Sequence, residues 1–301
     1  MIEPTNICNL KCIGCVHDQK YFKKRECGIM SFKNFKKILD LNLSIKHINL
    51  WGMGEPFINK EIFKFIDYAS SKSIFVSIHT NGILLDKKLL KNFFKVKNLQ
   101  CTITFSIDGL VQKTYESYRR GGNFEIAFGN MKELITLKKE YKKFYPRIVW
   151  QYLITKKNQH EISRVKKIAK LTGVDKLRFK IVNIQGIMNK DEFFPVFNEK
   201  LSGELEDMRK TNFFNTIEKG VCGYMEPSGG CFILWNGAIV PCCVDHEGGN
   251  IFGNAFKESY DKICAKEKCR NFIRNYFLGK NNLCNKYCRF KREMDNYEKI
   301  Y

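Results

Sequence analysis

Through the first 183 residues, short stretches of alternating or continuous apolar character give way repeatedly to apolar positions at helical spacing. The stretches predict strands at Met1–Thr5, Ile45–Trp51, Ile74–Thr80, Gln100–Ile107, Arg147–Ile154 and Lys176–Val182. The segments between them predict helices at Ser31–Leu41, Lys60–Lys72, Asp86–Lys95, Phe124–Lys143 and Gln159–Leu171. In Lys60–Lys72 the residues Ile62, Phe63, Phe65, Ile66 and Ala69 form one apolar face. Ser31 and Asp86 stand where N-caps belong. A repeated strand–helix order argues for a parallel sheet in an α/β fold. Six strands are too few for a complete eight-stranded barrel. A partial barrel and a doubly wound sheet both fit this periodicity.

The pattern changes after Asn183. Residues 184–220 are weakly periodic, with a charged helix expected near Asn198–Lys210, and read as a connector. Residues 221–301 are rich in Cys and Gly and read as a small separate domain. There the strand-like IVPCC and the turn Trp235-Asn236-Gly237 predict a hairpin. One helix is expected from Tyr260 to Phe277.

Composition narrows the class. Of 301 residues 44% are hydrophobic, enough for a sizeable core. No run of 18 apolar residues suggests a membrane span. The opening MIEPTNICNLKC lacks the basic and apolar regions of a secretory signal, so a cytoplasmic location is expected. Thirteen cysteines, clustered at Cys8/Cys12/Cys15, Cys242/Cys243 and Cys284/Cys288, then read as metal ligands rather than disulfides. Cys101, inside QCTITFSI, reads instead as a buried small hydrophobe. The net charge of +21 is spread over nearly every predicted helix without a basic stripe, which argues against nucleic-acid binding.

Cys8, Cys12 and Cys15 form a CxxxCxxC loop directly after the first predicted strand. In a barrel that is where active-site loops lie. Three thiolates can hold an iron–sulfur cube and leave one iron open. Zinc is the competitor, with His17 close by. Further motifs follow at successive strand ends. They are Trp51-Gly-Met-Gly-Glu-Pro56, Thr80-Asn-Gly82, Ser106-Ile-Asp-Gly109 and Tyr118-Arg-Arg-Gly-Gly-Asn-Phe124, then Gln151, Asn158 and Glu161. Gly52 and Gly54 allow a close backbone approach, and Glu55 can pair with an ammonium.

In this order the motifs resemble the radical S-adenosylmethionine (SAM) superfamily. The resemblance implies a partial (β/α)6 TIM barrel with a 4Fe–4S cluster on Cys8, Cys12 and Cys15 and SAM on the open iron. It implies SAM contacts from Gly54, Glu55, Asn81, Ser106, Asp108 and Gln151. Glu55 would meet the SAM amino group, and Ser106 and Asp108 the ribose hydroxyls. Arg120, with Arg119 as the alternative, would meet the SAM carboxylate. The residue before the third cysteine is usually bulky in the family and here is Gly14.

Cys222-x14-Gly237-x4-Cys242, followed by Cys243, Asp245, Gly253 and Asn254, resembles the opening of the SPASM domain, an auxiliary-cluster module. That likeness implies one further 4Fe–4S cluster on Cys222, Cys242, Cys284 and Cys288, with Cys243 able to replace Cys242. Cys231, Cys264 and Cys269 are expected to be structural. The family's reaction is reductive cleavage of SAM and hydrogen abstraction from a substrate, either a peptide or protein or a small molecule. A reductant such as flavodoxin or ferredoxin would be its partner. The readings set against it are a zinc-binding structural protein and a nucleic-acid-interacting protein.

Overall fold

The computed structural model describes residues 1–15, 25–181, 193, 195–196, 222, 224 and 230–287. The expected connector helix at 198–210, His17 and Cys288 lie outside them.

Five strands form one parallel sheet in sequence order: β1 (His47–Leu50), β2 (Phe75–Thr80), β3 (Cys101–Ser106), β4 (Arg147–Ile154) and β5 (Lys176–Ile181). Helices α1 (Phe32–Leu41), α2 (Ile62–Ser71), α3 (Lys87–Leu90), α4 (Gln112–Glu116), α5 (Phe124–Glu140) and α6 (Ile162–Thr172) fall before and between them. Their starts follow from side-chain capping. Ser31 accepts from the Asn34 amide, Asp86 from Leu89 and Asn123 from Ile126.

The expected first strand is nearly absent. Met1–Thr5 makes only isolated bridges, parallel from Ile2 to Leu50 and to Ile233 and antiparallel from Thr5 to Ile29. Pro4 has no amide hydrogen and cannot extend the ladder. This segment still joins the two parts of the chain, because the Glu3 amide donates to the Ile233 carbonyl at 2.8 Å. The Glu3 carboxylate, fully buried, accepts from Arg25 and from the Trp235 amide.

Register divides the sheet into two chemically distinct faces. Ile48, Ile78, Ile103, Phe105, Trp150 and Tyr152 point toward the helices and are buried. There Phe35 and Phe65 stack at 4.1 Å. Each such large side chain contributes about 2 kcal/mol on burial. The alternate residues face the barrel interior and are mostly polar: Asn49, Ser77, His79, Thr104, Ser106, Gln151 and Arg178. The alternation that predicts the strands therefore also shapes a polar cavity wall.

In the C-terminal part, β6 (Phe232–Ile233), β7 (Ala238–Val240) and β8 (Gly253–Asn254) form an antiparallel sheet. Gly237 makes the hairpin turn at φ +84°, which favours glycine. The single helix expected over Tyr260–Phe277 is two helices, α7 (Tyr260–Cys264) and α8 (Glu267–Phe277). Lys266 interrupts it with extended backbone, ψ 147°. A short α9 (Asn282–Tyr287) follows. Among the described residues no helix is long and apolar enough to cross a membrane.

Candidate functional site

The cysteine loop is held from two sides at the C-terminal ends of the strands. On one side the Glu55 amide donates to the Ile7 carbonyl at 2.9 Å. A side chain at Gly54 would place Cβ 2.4 Å from the Thr5 carbonyl oxygen and 2.6 Å from that of Ile7. Both neighbours are backbone, so only glycine fits under the loop. On the other side Lys11 donates to Arg120 at 3.1 Å and Ile13 to Tyr118 at 2.9 Å.

That paired geometry sets the two arginines apart. Lys11 and Ile13 bracket Cys12, while Tyr118 and Arg120 bracket Arg119. The two bracketed side chains meet between these bonds. Arg119 Nη1 accordingly lies 3.8 Å from Cys12 Sγ. Its Nε donates to Asp108 Oδ2 at 2.6 Å. Burial opposes the Arg119 charge, but Asp108 and then Cys12 override it, and the guanidinium is held protonated more firmly than free arginine. Arg120 has an exposed side chain and contributes its carbonyl to the loop.

Asp108 is engaged on both oxygens. Its second carboxylate oxygen accepts from the Leu153 amide at 2.6 Å, and the side chain is fully buried. Asp108 thus fixes Arg119 and β4, and with one donor on each oxygen its carboxylate keeps acceptor capacity for the expected ribose contact. Asn158 and Glu161 hold the same loop. Asn158 Nδ2 donates to the Asp108 carbonyl at 2.8 Å, and Glu161 Oε2 accepts from the Leu110 amide at 3.0 Å.

Glu55 sits under the other end. Oε1 accepts from the Thr80 hydroxyl at 2.7 Å and from the Phe57 amide at 3.3 Å, and Oε2 from the Asn81 amide at 2.8 Å. A carboxylate has room for about four donors, so one position remains for an ammonium. Burial pushes the Glu55 carboxyl up to about 7, against those hydrogen bonds. The Asn81 side chain donates to Asn9 at 2.8 Å and ties β2 to the cysteine loop.

Two observations test whether a cluster and SAM suit these residues. The first is thiol chemistry. Burial pushes Cys8 up to about 12 and Cys12 up to about 11, and Cys8, Cys12 and Cys15 interact electrostatically with one another. Such thiols are poor nucleophiles, yet coordination to iron deprotonates them outright. The second is an orphaned polar atom. Gln151 Oε1 is buried and without a partner among the described residues, beside Ser106 in the register. A hydroxylated ligand would satisfy it. No three His, Cys, Asp or Glu side chains among the described residues converge on the position of a single ion. Ligands of a cube bind different irons and need no such convergence.

The C-terminal cysteines gather around Tyr224. Burial, then Cys243, Cys242 and Cys222, raise its phenol. The Cys222 amide donates to the Tyr276 hydroxyl at 3.1 Å, and Cys284 packs against Tyr276. Cys231, Cys264 and Cys269 line a small cavity with Tyr260 and Tyr224. A hydrogen bond from Cys269 lowers the Cys264 thiol to about 7. Cys101 is fully buried in the barrel core, as its surroundings predict.

Residues 2–145 match the family model of the Radical SAM superfamily, and residues 222–289 match that of an iron–sulfur cluster-binding domain, SPASM. A mycofactocin maturase, MftC of Mycobacterium tuberculosis, is 26% identical over 134 residues, 44% of this chain and 33% of the maturase. The chain thus matches about a third of that relative's length. A tungsten-containing aldehyde ferredoxin oxidoreductase cofactor-modifying protein of Pyrococcus furiosus is 25% identical over 257 residues, 80% of this chain and 69% of that protein. Streptococcus suis SuiB, solved with S-adenosylmethionine, superposes with a TM-score of 0.70 at 17% identity, over 95% of this chain and 70% of its own. Bound to the precursor peptide SuiA, it gives 0.68 at 18% identity, over 96% and 69%. At these identities the likeness to SuiB is one of fold.

Proposed function

The chain belongs to the radical SAM superfamily and carries a SPASM domain, and on that premise we propose that it abstracts hydrogen from a peptide or small-molecule substrate inside the barrel. The observation that carries the reading is the clamp on the cysteine loop, with Gly54–Glu55 on one side and Arg119–Asp108 on the other. Two ligand-binding strand ends meet one cluster loop, which a purely structural metal site has no use for. The zinc-binding and nucleic-acid-binding readings leave this arrangement unexplained and are not favoured.

When bound, a reduced cluster and SAM supply a 5′-deoxyadenosyl radical. The protein's own part is positional. Cys8, Cys12 and Cys15 would hold the cluster. Glu55 would receive the SAM ammonium at its remaining lone pair, and Arg119, in place of Arg120, the SAM carboxylate. Ser106 and Gln151 would meet the ribose, with Asp108 and Asn81 as positioning residues. Cys222, Cys242 or Cys243, Cys284 and Cys288 would hold the auxiliary cluster. A flavodoxin or ferredoxin would deliver the electron, drawn by the net charge of +21. Reduced, clustered thiols suit a cytoplasmic enzyme. The matched spans support a division into a core at 1–183, a connector at 184–220 and an auxiliary domain at 221–301.

Iron analysis and electron paramagnetic resonance test the assignment. Reconstituted protein should hold about eight irons, and Cys8, Cys12 and Cys15 together changed to Ala should leave about four. Adding SAM should shift the signal of the reduced wild-type protein and leave that of the triple variant unchanged. A SAM-dependent shift in the triple variant would move the SAM site elsewhere.

A further inference from the structure

Toward the C-terminal end of β5 the interior face carries two cations that the site described above does not use. Arg178 stands beside Gln151, at the level of Ser106, and Lys180 stands beside Leu153, two residues further on. Parallel pairing turns Ser106, Gln151 and Arg178 to one face, and Lys180 follows two residues on. We infer that Arg178 and Lys180 bind an anionic group, carboxylate or phosphate, of the substrate. The inference rests on the interior being the place of reaction.

Three observations support it. The interior-facing strand positions include no Asp or Glu. The two carboxylates at the strand ends are already engaged, Asp108 by Arg119 and Glu55 by Thr80 and Asn81. Neither Arg178 nor Lys180 has a carboxylate partner among the described residues. Trp51 and His79, stacked with ring centroids 4.0 Å apart, carry the same face across to the far strands. Burial keeps His79 neutral, and Lys180 and Arg178 push it the same way, so it adds no third charge.

Two like charges on one face of adjacent positions repel. An anion relieves that repulsion and gains charge-assisted hydrogen bonds, with the planar guanidinium suited to both carboxylate and phosphate. SAM brings its own carboxylate, but Arg119 already places a guanidinium beside Cys12. The pair at 178 and 180 is thus left for the substrate.

Calorimetric titration of the anaerobic, iron-loaded full chain, saturated with SAM and unreduced, tests this. The probes are acetyl-tetraglutamate, tripolyphosphate and acetyl-tetralysine. At least one anion should bind at a single saturable site, and tetralysine should not. Binding of only the peptide points to a carboxylate source, and of only tripolyphosphate to a phosphorylated one. Arg178→Gln and Lys180→Gln should each weaken that binding by about tenfold. If Arg178→Gln fails to load iron, Lys180→Gln, at the open end, carries the test alone. No binding of either anion, or full affinity in a loaded variant, overturns the inference. The same wild-type preparation, given dithionite, reports separately on the enzyme reading. If it forms 5′-deoxyadenosine but binds no anion, only the substrate class falls; if it forms none, the reading beneath falls.

Discussion

Arg119 Nε lies 2.6 Å from Asp108 Oδ2, and the same guanidinium reaches to 3.8 Å from Cys12 Sγ. One residue therefore links a buried carboxylate on the end of β3 to the cysteine loop.

Asp108→Asn leaves that guanidinium without its counter-charge. Breaking a buried pair from one side costs about 3–5 kcal/mol. Urea denaturation of the iron-free protein should show this loss. The double variant Asp108→Asn with Arg119→Gln should lose less than the sum of the two single variants, because they share one interaction. Additive losses would mean that the pair is not coupled. Arg119→Lys should not restore it, since an ammonium cannot present two separated donors to Asp108 and the Cys12 sulfur.

Gly54→Ala should act on the cluster loop. The added Cβ would meet two backbone oxygens at 2.4 and 2.6 Å, so the loop itself must move. The expected result is loss of about four irons, with the C-terminal cluster kept. Gly129→Ala is the control. It lies in α5 with nothing within 4 Å of the new Cβ. It should stabilise the fold by up to about 1 kcal/mol and leave iron loading intact. Equal iron loading in both variants would contradict the close packing at Gly54.

His79 supplies a pH dependence. Burial, aided by Lys180 and Arg178, lowers its imidazole from 6.5 to about 3. The unfolded chain therefore takes up a proton between these values while the folded protein does not. The stabilisation this brings is present above pH 6.5 and is lost as the pH falls towards about 3. His79→Gln should remove a slope of about 1.4 kcal/mol per pH unit within that window. Denaturation of both iron-free proteins at pH 4, 5, 6 and 7 measures it. Parallel curves would show that His79 titrates normally.

Much of this was legible in the sequence for a physical reason. Strands with one face on helices and one on a polar interior must alternate, and β2 and β3 do. Ser31 and Asp86 cap as their chemistry dictates. The motifs at 51–56, 80–82 and 106–109 fall at strand ends because a parallel barrel gathers loops there. What escaped depends on contacts between distant segments. Nothing in Tyr118-Arg-Arg-Gly says which arginine turns inward; the pairing of 118–120 with 11–13 decides it. That Asp108 also holds Arg119 and the Leu153 amide shows only in the folded structure. The break at Lys266 lacks a Pro or Gly to announce it. The interior cations on β5 are individually ordinary, and only register sets them beside Gln151.

The most direct measurement of the central claim is 5′-deoxyadenosine formation without substrate. Anaerobically reconstituted wild-type protein, given dithionite and SAM, should produce it slowly, and Cys12→Ala should produce none. Wild-type protein with its full iron content that forms no 5′-deoxyadenosine with dithionite or with reduced flavodoxin would contradict the account.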